Sequence, residues 1–489
     1  SWSTAGWFGR INYDYQGRYL IEGNLRYDGS SRFRSATRWT WSPSFSLGWN
    51  VAQESFFESL NSVWNQFKLR YSWGKLGNQN TDNWYPTYVA MGYSPASSGW
   101  LINGGNKGNI ASMPGLVSST LTWEKNRTWD IGFDFGFLNN RLTGSFDYYN
   151  RKTVDMVGPG ATLPGVFGAS VPNVNNLSMT SKGWELTISW RDRIGDFNYG
   201  ITANLYDHTV TVDEYPNNET YSLTQNYWSG KKLGEIWGLT TVGIAKTDAE
   251  MQEHLSKVNQ SWIANSGWTA GDVMYADLNG DGKINNGIEG MYKLNGKYYI
   301  PGDAGYEDVV NNPDAKAIPV NTVENSGDYK VIGNTTPRYS FGLNLDASWK
   351  GFDVKIFFQG VGKRDYWASG PMMFGAVGGT GGKWQAVVYK PQLDYFRAAD
   401  TTDPLGPNVD AYYPRVNWGG PNNTQTQTRY LQNAAYCRLK NVTIGYTLPQ
   451  TLTRKAYIDR ARIFVSGENL ATITNFTDMG DPELIEAYN

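Results

Sequence analysis

Strict alternation of apolar and polar residues is the feature that most constrains the fold of this chain. In residues 7–15, Trp7 and Ile11 alternate with Arg10 and Asn12, and this period of two indicates a half-buried β-strand. Twelve segments of about ten residues share the pattern, which is the length that a tilted strand needs to cross a bilayer. They are 7–15, 19–27, 39–49, 67–73, 129–137, 142–148, 184–190, 197–205, 339–349, 354–358, 436–447 and 463–467.

The two faces of these strands differ in chemistry. Many segments end in Trp, Tyr or Phe with apolar side chains between, as in the aromatic girdles and lipid-facing band of an outer-membrane barrel. The opposite face carries charged side chains, which need water or polar partners and so must line a lumen. These are Arg10, Asp14, Glu22, Arg26, Lys68, Arg70, Asp130, Asp134, Glu185, Arg191, Asp346 and Lys355. The sequence therefore predicts an all-β, transmembrane, antiparallel outer-membrane β-barrel.

Composition excludes several other classes of protein. No apolar run reaches the 18 or more residues that a membrane helix needs, while the mean hydropathy of −0.51 is compatible with a barrel because lumen-facing residues are polar. A net charge of −2 provides no basic surface for nucleic acid. The single Cys437 excludes an intrachain disulfide. Residues 1–4 have neither a basic region nor an apolar core, so we expect no signal peptide there.

The connections between the twelve segments are of two kinds that alternate along the chain. The shorter ones are 16–18, 50–66, 138–141, 191–196, 350–352 and 448–460, and the longer ones are 28–38, 77–122, 153–181, 208–337 and 363–433. Outer-membrane barrels have short periplasmic turns and longer extracellular loops. We therefore expect the long loops, above all 208–337 and 363–433, to lie outside the cell.

A soluble β-sandwich or propeller is the structural alternative. It would need neither aromatic clustering at strand ends nor loops that are long on one side only, and no motif repeats at the period of a propeller. One irregularity is expected within 436–447, because Leu439 and Val442 have opposite parity. This change of phase predicts a β-bulge near Lys440-Asn441.

Enzymatic chemistry has little support in the sequence. Neither His208 nor His254 has a second metal-type ligand at a helical or hairpin spacing, and there is no nucleophile elbow or P-loop. Asp130 and Asp134 would lie about 13 Å apart along one strand face, too far for a retaining glycosidase pair. We predict no catalytic residue.

One segment has the spacing of a metal site. Residues 277–285 match positions 1, 3, 5, 6 and 7 of a calcium loop, with side-chain oxygens at Asp277, Asn279 and Asp281 and a carbonyl at Lys283. The bidentate Glu of position 12 is missing. The alternative is an Asn-Gly-Asp-Gly turn closed by its own Asx hydrogen bonds. A low-affinity Ca²⁺ site in an external loop is the functional interpretation.

The long loops are rich in Trp and Tyr, whose rings suit the capture of sugars or peptides, a protein interface, or packing within the loops. The loop residues are Trp84, Tyr85, Tyr88, Trp100, Tyr221, Tyr227, Trp228, Trp237, Trp262, Trp268, Trp384, Tyr412, Tyr413 and Trp418. For any single residue, packing is the more frequent outcome.

Seven stretches resemble the barrel half of the SusC/RagA-type TonB-dependent transporters of Bacteroidetes. Among them are Arg26-Tyr-Asp-Gly-Ser-Ser-Arg-Phe33, Trp41-Ser-Pro-Ser-Phe-Ser-Leu-Gly-Trp49 and Arg438-Leu-Lys-Asn-Val-Thr-Ile-Gly-Tyr446. The others are 69–80, 123–130, 331–339 and 461–470. The resemblance implies a barrel of 22 strands, of which the chain would carry twelve. It also implies that a signal peptide, a TonB box and a plug domain precede Ser1 in a longer protein and that one strand follows.

The resemblance further implies an importer of oligosaccharides or peptides without covalent chemistry. Its partners would be a SusD-like surface lipoprotein acting as a lid, the TonB complex acting through the N-terminal region, and outer-membrane lipid. Two other functions stay open: a passive porin-like channel and a secreted carbohydrate-binding β-protein. A plug and TonB box upstream would favour the importer, whereas a signal peptide directly before the first strand would favour the channel.

Overall fold

Twelve long strands form one antiparallel sheet in the computed structural model of the protein. The structure describes residues 2–81, 84–102, 104–160, 164–369, 373–374, 389–417, 420–478 and 480–485. In chain order the strands are β1 (Thr4–Tyr15), β2 (Tyr19–Ser30), β3 (Trp39–Asn50), β4 (Trp64–Asn78), β5 (Glu124–Phe137), β6 (Leu142–Pro159), β7 (Asn173–Ile194), β8 (Phe197–Glu214), β9 (Arg338–Trp349), β10 (Phe352–Lys363), β11 (Tyr436–Thr447) and β12 (Arg462–Thr474). Each of the twelve predicted segments falls on one of these strands.

The first hairpin shows how the local sequence sets the register. Strands β1 and β2 pair from Thr4 with Ser30 to Tyr15 with Tyr19. Gln16 and Gly17 between them adopt positive φ values of 54° and 68°, a region that glycine enters without steric cost. The Gly17 N–H donates to Asp14 Oδ1 at 2.6 Å, so the side chain before the turn helps to close it.

The predicted loop at 153–181 is wrong in its extent. Strand β6 continues to Pro159 and β7 begins at Asn173, which leaves only residues 160–172 as a connection. Polar side chains support this added length: Thr180 Oγ1 donates to Asp213 Oδ2 at 2.6 Å, and Lys152 Nζ lies 3.5 Å from the same oxygen. Such a region lacks the apolar alternation from which strands are predicted.

The predicted β-bulge in β11 is confirmed. Phe357 of β10 pairs with Asn441 and Phe358 pairs with Leu439, so Lys440 has no opposite residue in β10. The register between β11 and β12 shifts over the same residues. One extra residue in a strand changes which face the following side chains occupy, and this accounts for the opposite parity of Leu439 and Val442.

Two compact units make up the chain. One comprises Ser1–Glu219, Tyr227–Lys232 and Leu345–Lys350, and the other comprises Thr220–Asn226, Leu233–Asn344 and Gly351–Asn489. In the second unit, the two longest predicted loops share a hydrophobic core. Leu239 and Tyr275 from one loop pack in the same cluster as Tyr413 and Tyr430 from the other, and all four are at most 2% exposed.

Short elements give these loops internal structure. Helix α1 (Asp248–Lys257) is capped at its N-terminus by Thr247, whose side chain accepts a hydrogen bond from the Glu250 N–H at 3.2 Å. Helix α2 (Tyr306–Val310) lies in the same loop, and α3 (Gln450–Thr453) precedes β12. Short strands are Gly92–Ser94, Leu101–Ile102, Asn106–Lys107, Ile110–Ser112, Glu235–Gly238, Thr241–Ile244, Val273–Tyr275, Tyr292–Leu294, Lys297–Tyr299, Lys316–Ala317, Lys330–Asn334, Asp365–Trp367 and Leu431–Asn433. Among the described residues, no helix has the length and apolar character to cross a membrane.

Candidate functional site

An arginine joined to two carboxylates lies on the polar face of the first unit. The guanidinium of Arg70 on β4 is 2.9 Å from Asp134 on β5 and 2.8 Å from Asp147 on β6. The side chains are about a quarter exposed, and hydrogen bonds from Arg70 Nε reach both oxygens of Asp134. These contacts link three adjacent strands on the polar face.

Gly132 makes room for this contact. It pairs with Arg70 on one side and with Asp147 on the other. A Cβ at Gly132 would overlap Asp147 Oδ1 and would lie 2.8 Å from the backbone oxygen of Phe146. Glycine is therefore required here for the close approach of the Asp147 side chain, although its φ is ordinary.

A shallow groove with a mixed charged and apolar lining runs along the same face. Asp14, Glu22, Lys68, Arg70 and Asp130 all line it, at a volume of about 460 Å³. The structure thus brings together several of the charged residues that the alternation assigned to a lumen. Asp130 lines this groove, and Asp134 on the same face forms an ion pair with Arg70. Both carboxylates therefore have the surroundings expected of side chains that line a polar lumen.

The predicted calcium segment forms a tight turn in the second unit. Asp277 accepts hydrogen bonds from the Gly280 and Gly282 N–H groups, both at 2.7 Å. Asn279 Oδ1 accepts from the Asp281 N–H at 3.0 Å. Backbone donors therefore point at the side-chain oxygens, as in Asx turns.

Asp281 also accepts hydrogen bonds within this turn. Its carboxylate accepts from the Lys283 N–H at 2.9 Å and from Asn285 Nδ2 at 2.7 Å. Carboxylate oxygens keep further lone pairs, so Asp277, Asn279, Asp281 and the Lys283 carbonyl fit an oxygen-preferring cation in donor chemistry. Calcium binding stays a prediction.

Sequence reasoning missed Asp328, which is far from this turn in the sequence but hydrogen-bonds to its backbone. This residue is fully buried, and its carboxylate accepts from the Leu278 and Asn285 N–H groups at 2.7 and 2.8 Å. Burial raises the pKa of Asp328, while these backbone hydrogen bonds oppose that rise. No local motif marks a carboxylate that acts about fifty residues away.

The loop aromatics separate into packed and exposed residues. Trp228 and Tyr413 are buried, and Trp237 and Trp268 are partly buried, so packing is the correct interpretation for these four. The exposed ones are Trp84, Tyr85, Tyr88, Trp100, Tyr221, Tyr227, Trp262 and Tyr412. Trp384 and Trp418 lie outside the described residues.

Much of the exposed apolar surface of the loops belongs to one segment, residues 84–116, which we call the apolar arm. Trp100 is 84% exposed and Met113 is 89% exposed, and Lys107 is the sole charged residue in the arm's sequence. Two small sheets form it, one from Gly92–Ser94 with Ile110–Ser112 and the other from Leu101–Ile102 with Asn106–Lys107. Surfaces of this kind commonly mark interaction sites.

A family model described as "TonB dependent receptor-like, beta-barrel" matches residues 1–284. The chain belongs to this family. It is 26% identical over 494 residues to TonB-dependent receptor P3 of Formosa agariphila, which covers 97% of this chain and 41% of the relative. It is 30% identical over 313 residues to TonB-dependent receptor SusC of Bacteroides thetaiotaomicron, covering 60% of this chain and 28% of the relative.

Solved structures agree with the family in fold. The structure of the RagAB peptide transporter matches with a TM-score of 0.70 and 22% identity, covering 99% of this chain and 45% of the other. The chain spans less than half the length of the relatives that it matches. The predicted outer-membrane β-barrel is thus confirmed, as are the SusC/RagA resemblance and the outer-membrane location, and the soluble sandwich and secreted protein are excluded.

Family membership indicates what each face of the twelve-stranded sheet contacts. In an outer-membrane barrel, outward apolar side chains contact lipid and inward side chains are polar. Trp7, Ile11 and Ile131, each more than half exposed in this chain, belong to the outward face. The Arg70 ion pair belongs to the inward face. The total of 22 strands stays a prediction.

Proposed function

We propose that the protein is a SusC-like TonB-dependent importer that moves oligosaccharides or peptides across the outer membrane. Membership of the TonB-dependent receptor family is the observation that carries this proposal, and the 30% identity to SusC supports the choice of subclass. The charged inner face supports passage of hydrophilic solutes, because such side chains stay solvated beside a polar cargo.

Peptides and oligosaccharides are the two candidate substrate classes, and the features of the chain suit both. RagAB is a peptide transporter, which supports peptides as one class. Exposed rings such as Trp262, which contacts Tyr329 edge-on at 6.2 Å, suit the faces of sugar rings equally well. Purified complete protein should therefore be tested with both a peptide library and an oligosaccharide library.

A SusD-like surface lipoprotein is the proposed lid, and the apolar arm is the proposed place where it docks. TonB would supply energy through the plug and TonB box that the family carries in its N-terminal region. Neither the lipoprotein nor TonB would change the cargo covalently, so the cargo should be recovered intact after uptake. Two observations support the lid: the exposed arm and the similarity to RagAB and SusC.

A passive channel is the alternative, because a charged inner face would suit its lumen equally well. Uptake measured with and without TonB distinguishes the two. A labelled cargo found by the library binding should accumulate in cells that carry the complete protein and an intact TonB complex. Deleting TonB, or collapsing the proton-motive force, should abolish that accumulation while leaving the protein in the membrane. Uptake that continues at an unchanged rate without TonB would establish the passive channel.

A further inference from the structure

The outward face of β4–β7 carries an aromatic row near the long-loop ends of these strands. Trp73 stands opposite Trp129, and Tyr148 stands opposite Trp184. The rings of Trp129 and Tyr148 pack at 5.7 Å. Aromatic rings on this face lie at the membrane–water interface of an outer-membrane barrel. All four strands are interior strands of the twelve-stranded sheet, so each is paired along both of its edges.

Basic side chains follow this aromatic row directly. On β4, β5 and β7, the residue two positions beyond the ring toward the long loops is Lys75, Arg127 and Lys182, respectively. Because side chains alternate along a strand, these three share the face of the rings, about 7 Å farther along the strand and less in height when the strand is tilted. Lipid headgroups lie at this level when the rings occupy the interface.

Three cations stand side by side in this region. Arg127 pairs with Lys75 on one side and with Lys152 of β6 on the other. Paired residues on one face have Cβ atoms about 4.5–5.5 Å apart, and like charges in this arrangement destabilise a sheet. Lys125 and Arg127 both repel the Lys75 ammonium group. An anion shared by these cations would replace the repulsion with attraction. We call Lys75, Arg127, Lys152 and Lys182 the basic patch.

Acidic side chains offset only part of this charge. Asp213 lies 3.5 Å from Lys152, and Asp155 forms an ion pair with Lys125. Asp207 on β8 is buried. Among the described residues, the three cations next to the aromatic row form no ion pair or hydrogen bond, and two of them are exposed. The patch therefore keeps positive charge that is available to a ligand.

The short-turn ends of the same strands have a different character in the described chain. Trp64, Phe137 and Leu142 are the last residues of β4, β5 and β6 there. On β7 the same-face residue beyond Trp190 is Asp192, which pairs with Arg141 at 3.3 Å. Cations that served only to solvate a strand end would suit both interfaces equally. Their restriction to the long-loop side indicates a ligand on that side.

We propose that the basic patch binds the phosphate group of an anionic lipid in the outer leaflet of the outer membrane. The leaflet follows from the long loops, which outer-membrane barrels place outside the cell. The Arg127 guanidinium can bind two phosphate oxygens at once, and the flanking lysines add charge. Basic clusters beside a membrane attract anionic headgroups in this way.

The position of the patch favours a lipid over an acidic protein as the occupant. Its cations lie on the outward face, next to rings that contact lipid, whereas a protein that approaches from outside the cell meets the long loops first. The inference goes beyond the proposed import and depends only on the barrel and its orientation.

Native mass spectrometry of the complete protein in mild detergent, titrated with diphosphoryl lipid A, tests the patch. The unmodified protein should retain this lipid, and Lys75→Gln with Arg127→Gln should lower its occupancy at least fivefold because both charges beside the phosphate are lost. Arg18→Gln with Arg193→Gln removes the same charge at the short-turn end and should leave occupancy unchanged. Heat-dependent gel mobility shows whether each variant is folded, and Arg127→Gln alone replaces the first double variant if that one does not fold.

Two further probes identify the group that is bound. Lipid A from which both phosphates have been removed should bind the unmodified protein at least fivefold more weakly than the diphosphoryl form. Excess inorganic phosphate should leave the diphosphoryl form bound, because the acyl chains keep the lipid in the detergent shell beside the patch.

Four results would overturn the inference. They are equal occupancy in the patch variant, equal loss in the short-turn control, equal retention of the dephosphorylated lipid, and displacement of the lipid by inorganic phosphate, which would indicate a site for the free ion. An acidic protein that co-purifies with the unmodified protein and is lost from the patch variant would identify a protein as the occupant, and this also overturns it.

Discussion

At the residue scale, Gly132 and Gly9 differ in what an added Cβ would meet. Replacing Gly132 by Ala should destabilise the protein by about 1–3 kcal/mol, the usual cost of overpacking, because the new Cβ meets Asp147 and the Phe146 carbonyl. Gly9→Ala meets nothing and is the control. The free energy of unfolding from urea titration of the complete protein in lipid measures both. Equal values for the two variants would contradict the required approach of Asp147 to Arg70.

The turn at 277–285 is the second prediction at this scale. If Ca²⁺ occupies it, a chelator should speed protease cleavage within 208–337 in the unmodified protein, with a Kd of about 10⁻⁴–10⁻³ M because the position-12 Glu is absent. Asp277→Ala with Asp281→Ala should abolish this dependence on calcium. Asp308→Ala removes an exposed carboxylate of α2 and should behave like the unmodified protein.

The chelator decides between metal and turn, since the alanine variant also removes backbone hydrogen bonds. Cleavage at the same rate with and without chelator would mean that the hydrogen bonds of Asp277 and Asp281 alone hold the turn. Spacing alone predicts that Asp277, Asn279 and Asp281 lie together in one turn, because the three residues are close in the sequence. It could not predict Asp328, whose contribution depends on the folding of distant residues into one place.

At the element scale, sequence reasoning works where one face is apolar. The segments 7–15 and 129–137 were predictable because lipid imposes alternation on every outward residue. The ends of β6 and β7 were not, because polar pairs such as Thr180 with Asp213 hold them and leave no hydrophobic signal. The two packed loops were hidden for a similar reason, since their core joins residues such as Leu239 and Tyr430 that are far apart in the chain.

The outward face of β7 leads to a third prediction. Ile188→Arg should cost about 2–4 kcal/mol if the residue lies near the bilayer midplane, whereas Ile188→Leu should be tolerated. Ser189 points the other way, where its hydroxyl lies 2.9 Å from that of Thr202 on β8. A membrane-impermeant thiol reagent should therefore label Cys at position 189 and spare Cys at position 188. The reverse labelling would invert the face assignment.

Arg438 on β11 is the basis of a fourth prediction. Its guanidinium is about a tenth exposed and binds both Asp481 and Glu483, so it tethers the segment after β12. Arg438→Ala should raise amide exchange in residues 476–485, because hydrogen bonds to charged groups contribute about 1.5–3 kcal/mol. Arg462→Ala breaks a more exposed pair with Asp353 and should have a small effect on that segment.

Acid should loosen the same tether. Burial is the largest single effect on Asp481 and opposes its ionisation. The hydrogen bonds from Arg438 and the Glu483 N–H, with the charges of Arg438 and Lys440, together outweigh burial and hold the pKa of Asp481 below its usual value. A carboxyl with a lowered pKa stabilises the folded state above its ordinary pKa and loses that contribution as pH falls through the folded value. Exchange in residues 476–485 should therefore rise below about pH 4 in the unmodified protein and depend less on pH in Arg438→Ala.

At the scale of the whole molecule, exposed apolar surface indicates where a partner docks. From the sequence, a protein interface is one of the roles that the aromatic content of 208–337 and 363–433 allows. The structure instead buries many of their rings, including Tyr275 and Tyr413, in a shared core. The apolar arm keeps Trp100, Leu101 and Met113 in solvent, so burial rather than composition identifies the candidate surface.

The fifth prediction therefore concerns the arm. Mild-detergent purification of the complete protein should bring down a surface lipoprotein, and Trp100→Ser with Leu101→Ser should reduce its recovery at least tenfold, because truncated central aromatics commonly remove 2 kcal/mol or more of binding energy. Trp262→Ser removes an exposed ring outside the arm and is the matched control. Heat-dependent mobility should show an intact barrel in all three proteins. If the arm variant retains the lipoprotein while Trp262→Ser loses it, the lid docks on the packed loops and not on the arm. If no lipoprotein co-purifies and uptake is normal without one, the importer needs no lid.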